Sequence, residues 1–117
     1  MNRKRLALAG EVAEGATIKF QFRRGGKTVE AFLARVQGRF VAYENLCRHL
    51  PLTLDYGDNR FLAKDAKHFL CQNHSALFDP LTGLCVRGPC AGQSLRRLRV
   101  EVADGAVWLV RGRGSAQ

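Results

Sequence analysis

Two Cys–His pairs constrain this 117-residue chain more than any other feature of its sequence. Cys47 and His49 enclose one residue, and after 21 intervening residues Cys71 and His74 enclose two. Each pair offers one thiolate and one imidazole from a short segment, so two such segments facing each other bring together two sulfurs and two nitrogens. This ligand set suits zinc or an iron–sulfur cluster and does not suit magnesium or calcium. The fold is therefore expected to bring the two segments to one place.

The rest of the chain has the two-residue periodicity of β-strands. Strand-like alternation covers residues 16–22, 28–36, 39–44, 97–103 and 106–111, with a short apolar run at 67–71. The Asp104-Gly105 pair is a strong hairpin signal, whereas residues 46–66 are loop-like. No apolar stripe recurs at helical spacing for three turns. The pattern predicts an all-β fold with antiparallel sheets, in one domain over 1–117, with a frayed tail at about 112–117.

Charge and composition narrow the class of partner. The chain has 19 Lys and Arg against 10 Asp and Glu, a formal net charge of +9. These cations are scattered in pairs and triplets and follow no nucleic-acid-binding motif, so an acidic protein is the expected partner and nucleic acid is not. No apolar run approaches the ~20 residues of a membrane span. The basic opening, Met1–Gly10, has too short an apolar stretch for a secretory signal. We expect a cytoplasmic protein without a membrane partner.

A reducing cytosol favours metal binding over disulfides for clustered cysteines. Structural zinc is an alternative for these residues, because two Cys and two His form a common tetrahedral set. Zinc fingers, however, usually pair Cys with Cys and His with His along the chain. The alternation of Cys and His here suits a two-iron cluster in which each segment gives one ligand to each iron.

At these residues the chain resembles the Rieske [2Fe–2S] proteins, in which two Cys hold one iron and two His hold the other. The resembling segments are the first cluster loop Asn45–His49, the second loop and its turn His74–Gly83, the covering proline loop Gly88–Leu95 and the closing strands Ala103–Val110.

The resemblance implies an antiparallel β-sandwich with one [2Fe–2S] cluster held at one tip by two loops. Cys47 and Cys71 would hold the inner iron, and His49 and His74 the outer one. It further implies a ferredoxin, without catalytic residues, that passes one electron between a reductase and an oxygenase or another oxidoreductase. Alternatives are a non-catalytic small subunit of a larger oxidoreductase, such as a nitrite reductase, and a zinc-stabilised nucleic-acid-binding module.

The departures from the family pattern bear on the potential. High-potential members have a disulfide where this chain has Leu52 and Asn73, and hydroxyl donors to the cluster sulfurs where it has Ala76 and Phe78. Donors aimed at sulfur stabilise the added electron, so their loss predicts a low potential. The gap between the motifs is also longer than usual, which predicts an insertion at 55–66.

Other candidate residues have simpler interpretations. Cys85 and Cys90 are expected to be buried small apolar residues, with a disulfide or a role in a four-Cys cluster as alternatives. His68 is expected at the surface or half-buried in a strand, and Trp108 in the core. Arg48 and Arg87 are candidates for docking a partner carboxylate. Arg48 and Arg87 are chosen because they lie in or beside the loops expected to surround the cluster.

Overall fold

Antiparallel β-sheets form the whole of the described fold in a computed structural model covering residues 3–46, 61–63, 67–71, 76–88 and 92–110. The strands are β1 (Arg3–Leu8), β2 (Thr17–Arg24), β3 (Lys27–Val36), β4 (Arg39–Glu44), β5 (Phe69–Leu70), β6 (Leu77–Phe78), β7 (Cys85–Arg87), β8 (Arg97–Leu98), β9 (Val100–Ala103) and β10 (Ala106–Val110). A 3₁₀ turn, Ala9–Glu11, follows β1. The described residues contain no α-helix, and none of their helical segments is long and apolar enough to cross a bilayer.

The strands form a central sheet between two smaller ones. The central sheet has the order β2-β3-β4-β8, the outer sheet β1-β10-β9, and the small sheet β5-β6-β7. All their pairings are antiparallel. Since successive side chains of a strand point to opposite faces, the central sheet has an apolar core on each side. The predicted all-β antiparallel fold is therefore confirmed.

The core facing the outer sheet, here called the aliphatic core, is made mostly of aliphatic side chains. Its buried members are Val12, Phe22, Ala31, Leu33, Ala42, Leu98, Val107 and Leu109. The aromatic core lies on the opposite face, against the small sheet. Its buried members are Phe32, Ala34, Val36, Val41, Tyr43, Phe61, Phe69, Cys71, Ala76, Phe78, Cys85 and Leu95.

Phe32 is at the centre of the aromatic contacts. Its ring stacks on Phe61 with centroids 4.1 Å apart and meets Phe69 edge-on at 5.1 Å. Phe69 also meets Tyr43 edge-on at 5.7 Å. Such pairs contribute about 0.5–1.5 kcal/mol each beyond the area that they bury. They therefore attach the small sheet to the middle strands of the central one.

Several elements differ from those predicted. The predicted loop at 46–66 is wrong at its end, because Leu62 forms a bridge with Phe69 and Phe61 is buried. β1 lies in the basic opening, where no strand was expected from the pattern. β6 lies within His74–Gly83, the stretch interpreted as the second loop and its turn. The predicted strand 97–103 is two strands, since β8 joins the central sheet and β9 the outer one.

Trp108 is not in a core. It lies half-buried on the outer sheet, with the Arg3 guanidinium 4.6 Å from its ring centroid. Its Nε1–H donates to the Ala103 carbonyl at 3.0 Å. The insertion at 55–66 falls mostly outside the described residues, and the tail at 112–117 falls entirely outside them.

Candidate metal centre

The second Cys–His segment starts at one end of the small sheet. Cys71 directly follows β5, and its backbone N–H donates to the Ala76 carbonyl at 2.9 Å. This bond closes the segment 72–75, which includes His74. Beside it, the Leu70 N–H donates to the Phe61 carbonyl at 2.6 Å. The chain that leaves at Cys47 therefore returns, at Phe61, next to the residue before Cys71.

A close backbone approach occurs at the same end of the sheet. Gly88 follows β7, whose Arg87 pairs with Leu77 of β6. A Cβ atom on Gly88 would lie 2.8 Å from the Ala76 Cα, and the φ of Gly88 is +111°. Only glycine fits this position without displacing the backbone. Since the proline-loop residues 89–91 follow Gly88, three segments begin or end here: 47–60, 72–75 and 89–91.

The first segment leaves from a well-anchored strand end. The Asn45 N–H donates to the Glu30 carbonyl at 2.9 Å, which continues the β3–β4 ladder past β4. Glu44, 7% exposed, forms an ion pair with Arg24 at 2.8 Å. These bonds fix the chain within two residues of Cys47.

Of the predicted ligands, Cys71 is the one that the structure describes. It is fully buried and belongs to the aromatic core. Cys47, His49 and His74 lie outside the described residues, which by themselves contain no group of three or more metal-ligating side chains. The buried Cys71 sulfur, beside a segment that carries an imidazole, fits a ligand of the iron farther from solvent. The set of four ligands thus stays a prediction, and the burial of Cys71 is consistent with it.

The residues expected to lack sulfur donors are next to this site. Ala76 and Phe78 are both fully buried, and neither side chain has a hydrogen-bond donor.

Cys85 is 2% exposed, as expected, and its thiol donates to the Arg87 carbonyl at 3.3 Å. His68 is half-buried and Arg87 is exposed. Cys90, Arg48, Leu52 and Asn73 lie outside the described residues.

The sequence pattern does not reveal a contact between Tyr43 and the turn that follows β6. The buried Tyr43 hydroxyl donates to the Pro80 carbonyl at 2.8 Å. Burial raises the pKa of Tyr43 to about 12; Arg97 acts against this shift and Asp79 adds to it. A Cβ on Gly83 would lie 2.8 Å from Tyr43 Cε1. Asp-Pro and Gly signal the turn in the sequence, but no local signal identifies its tyrosine partner in β4.

Comparisons with known proteins agree with this geometry. The model of the Rieske [2Fe–2S] domain matches residues 2–111. A chain from the complex of reduced oxygenase and oxidized ferredoxin in carbazole 1,9a-dioxygenase is 25% identical, with a TM-score of 0.71 over 92% of this chain and 91% of that chain.

The ferredoxin of carbazole 1,9a-dioxygenase from Nocardioides aromaticivorans IC177 is 23% identical, with a TM-score of 0.71 over 96% of this chain and 100% of its own. The terminal oxygenase of the same system is 24% identical, with a TM-score of 0.74, but is covered over 30% of its length. No curated protein sequence matches the chain. The family match covers both Cys–His segments and the proline loop, so this chain belongs to the Rieske [2Fe–2S] domain family, whose cofactor is one [2Fe–2S] cluster.

Proposed function

We propose that this protein is a Rieske-type ferredoxin that carries one electron between a reductase and an oxygenase. The observation that carries the proposal is the extent of the similarity. The family match spans residues 2–111, and two chains of carbazole dioxygenase systems, one of them a ferredoxin, are covered over 91% and 100% of their lengths. The protein supplies ligands, orientation and electrostatics, while the bound cluster supplies the one-electron chemistry.

The four ligands proposed are Cys47 and Cys71 on the inner iron and His49 and His74 on the outer one. The burial of Cys71 supports the inner position for the cysteines. With both irons ferric, two sulfides, two thiolates and two neutral imidazoles give a centre of zero charge, which becomes singly negative on reduction. Groups near the sulfurs that stabilise negative charge therefore set the potential.

We infer that the potential lies toward the low end of the roughly −150 to +300 mV range of Rieske centres. The methyl group of Ala76 and the ring of Phe78 occupy fully buried positions beside the site and donate no hydrogen bond. Ala76→Ser with Phe78→Tyr would supply hydroxyl donors and should raise the midpoint measured by voltammetry. A midpoint near the top of the range in the unmodified protein would refute the missing-donor argument.

The test of the cluster uses a matched pair of cysteine substitutions. The purified protein should contain two irons and two acid-labile sulfides per chain. When reduced, it should give a paramagnetic resonance signal of lower average g than four-Cys clusters, because imidazole donates less charge than thiolate. Cys71→Ser should abolish the signal, whereas Cys85→Ser should leave it unchanged. Stoichiometric zinc without sulfide would overturn the proposal in favour of the zinc alternative.

The proposed partner is a redox protein with an acidic docking face. A complex between oxygenase and ferredoxin is known for carbazole 1,9a-dioxygenase. In this chain, the net charge of +9 and the exposed Arg87, next to Gly88, support docking through opposite charge. Electron transfer to the partner should then slow steeply as the salt concentration rises from low to physiological.

If the protein were instead a small subunit of a larger oxidoreductase, size-exclusion chromatography would show it in a larger native complex. A cytoplasmic location remains part of the proposal.

A further inference from the structure

The β2–β3 hairpin ends in a concentration of positive charge. Its tip, residues 23–28, contains Arg23, Arg24 and Lys27 and no acidic residue. We call these six residues the basic hairpin. Arg23 and Lys27 are exposed, and Arg23 donates to the Thr28 hydroxyl at 3.0 Å and to the Gly26 carbonyl at 2.6 Å. These bonds hold the tip in a defined shape.

The basic hairpin lies at the end of the central sheet from which the chain leaves for Cys47. Ala31 of β3 pairs with Glu44, and Glu30 accepts from Asn45, so residues 27–29 extend past the end of β4. At about 3.3 Å per residue they project by about 10 Å. β2 is two strands from β4, or about 10 Å across the sheet. The tip therefore flanks the end of β4, from which the chain continues to Cys47.

A groove runs from the basic hairpin to β1. It is lined by Lys4, Gln21, Phe22, Arg23 and Thr28 and has a volume of ≈ 270 Å³. The Lys4 ammonium donates to the Gln21 carbonyl on the outer edge of β2, so it lies in the groove beside the hairpin. Two acidic side chains lie nearby: Glu30, which pairs across the strands with Gln21, and Glu44, which forms an ion pair with Arg24 of the hairpin at 2.8 Å. The exposed Arg23 and Lys27 lie outside that ion pair. Four of the five residues that line the groove are basic or polar, and the fifth is Phe22.

The opposite end of the central sheet carries both signs of charge, since Glu14 lies there with Arg39 and with the half-buried Arg35, which donates to the Val12 carbonyl. There, the β3–β4 turn at Gln37-Gly38 is held by the Glu14 carboxylate, which accepts from both backbone N–H groups at 2.6 and 2.9 Å. Arg39, which begins β4, is exposed at that end. Opposite potentials on two proteins steer their encounter and fix their orientation. A partner with an acidic face would therefore meet the end of the sheet that precedes Cys47.

We propose that the basic hairpin and its groove receive an acidic segment of the redox partner and orient it on the cluster end of the molecule. This inference rests on the proposed function. A typical interface covers about 800 Å² on each partner, which is a patch about 30 Å across. A protein seated over the cluster segments would therefore also cover the groove. Lys4 and Arg23 line the groove, and carboxylates form charge-assisted hydrogen bonds with ammonium and guanidinium groups.

The test compares Lys27→Glu with Arg39→Glu, which make the same charge change at opposite ends of the sheet. The probe is an acidic haem protein, cytochrome b5, with the loaded protein reduced by dithionite. One electron passes from the reduced protein to the ferric haem. Two quantities are measured at low ionic strength: the dissociation constant with the oxidised protein, by calorimetry, and the second-order rate of haem reduction. Arg23→Gln is a second hairpin variant, which removes the charge while keeping an amide donor.

Lys27→Glu should weaken binding and slow the second-order rate about fivefold or more, while Arg39→Glu should change each by less than about twofold. The rate at saturating probe and the cluster spectrum should be unchanged. Equal effects of the two reversals would overturn the proposal, since net charge alone would then explain the steering. Unchanged binding by both Lys27→Glu and Arg23→Gln would also overturn the proposal. The cations of the hairpin would then serve to keep other chains from pairing with the β2 edge. Failure of the proposed function would show differently, as absence of the cluster spectrum or of reduction by dithionite.

Discussion

The two cores on either side of the central sheet hold their partner sheets by different means. The outer sheet has strands of six, four and five residues, and their own hydrogen bonds fix the register between them. This sheet packs on the aliphatic core. The small sheet has strands of two, two and three residues. Such short strands form too few ladder bonds to be stable alone. The attachment of the small sheet, at whose end the described chain breaks off for residues 72–75 and 89–91, therefore depends on ring packing in the aromatic core and on close contacts at glycine.

Removing an aromatic ring should show this difference most strongly. Phe61→Ala removes the ring stacked on Phe32, directly after residues 47–60. The expected cost is about 3–5 kcal/mol, concentrated in the small sheet. Cluster absorbance should then be lost at a lower denaturant concentration than far-ultraviolet circular dichroism.

The matched control is Leu109→Ala in the aliphatic core, which should cost about 2–5 kcal/mol. In that variant the two signals should be lost together, because the outer sheet is part of the global fold. Coincident transitions in both variants would show that the two cores unfold as one unit and would contradict the comparison.

A smaller substitution tests the glycine contact. Gly88→Ala places a methyl group 2.8 Å from the backbone of Ala76, where the chain leads to the predicted ligand His74. Gly26→Ala is the control, since it also has a positive φ, +80°, but meets nothing within 4 Å. Both variants incur a conformational cost of about 1–2 kcal/mol. Gly88→Ala should cost at least about 1 kcal/mol more, and it alone should lower the iron content. Equal stability and iron content in the two variants would mean that Ala76 shifts freely.

The sequence allows prediction of the long strands and of the type of site. Alternation at Thr17–Phe22 and the Asp104-Gly105 turn predict β2 and the β9–β10 hairpin, since both signals are local. The spacing of the Cys–His pairs predicts the family for a similar reason, because each pair is a short-range pattern.

What the sequence does not reveal depends on partners distant along the chain. β1 has charged residues at Arg3, Lys4 and Arg5, and its register is set by β10 at the other end of the sequence. The burial of Phe61 depends on Phe32, and the fit of Gly88 depends on Ala76. No local periodicity encodes such contacts, which are the ones that position the small sheet.

The smallest expected effect concerns Tyr43, which links the central sheet to the turn after β6. At pH 8, Tyr43→Phe should cost about 1 kcal/mol of stability, because the buried Pro80 carbonyl loses its donor. The phenol of the unfolded chain ionises near pH 10, whereas burial raises the pKa of Tyr43 in the folded protein to about 12. Between these values the unfolded state loses its proton first, so stability falls by about 1.4 kcal/mol per pH unit. The Phe variant lacks this titration, so its stability, measured by denaturant unfolding, should equal or exceed that of the unmodified protein by about pH 11. Every other titrating group is shared by the two proteins, so their difference in stability reports Tyr43 alone. If that difference stayed constant from pH 8 to 11.5, the pKa of Tyr43 would be the same in the folded and unfolded states. The phenol would then be exposed to water at the face of the small sheet.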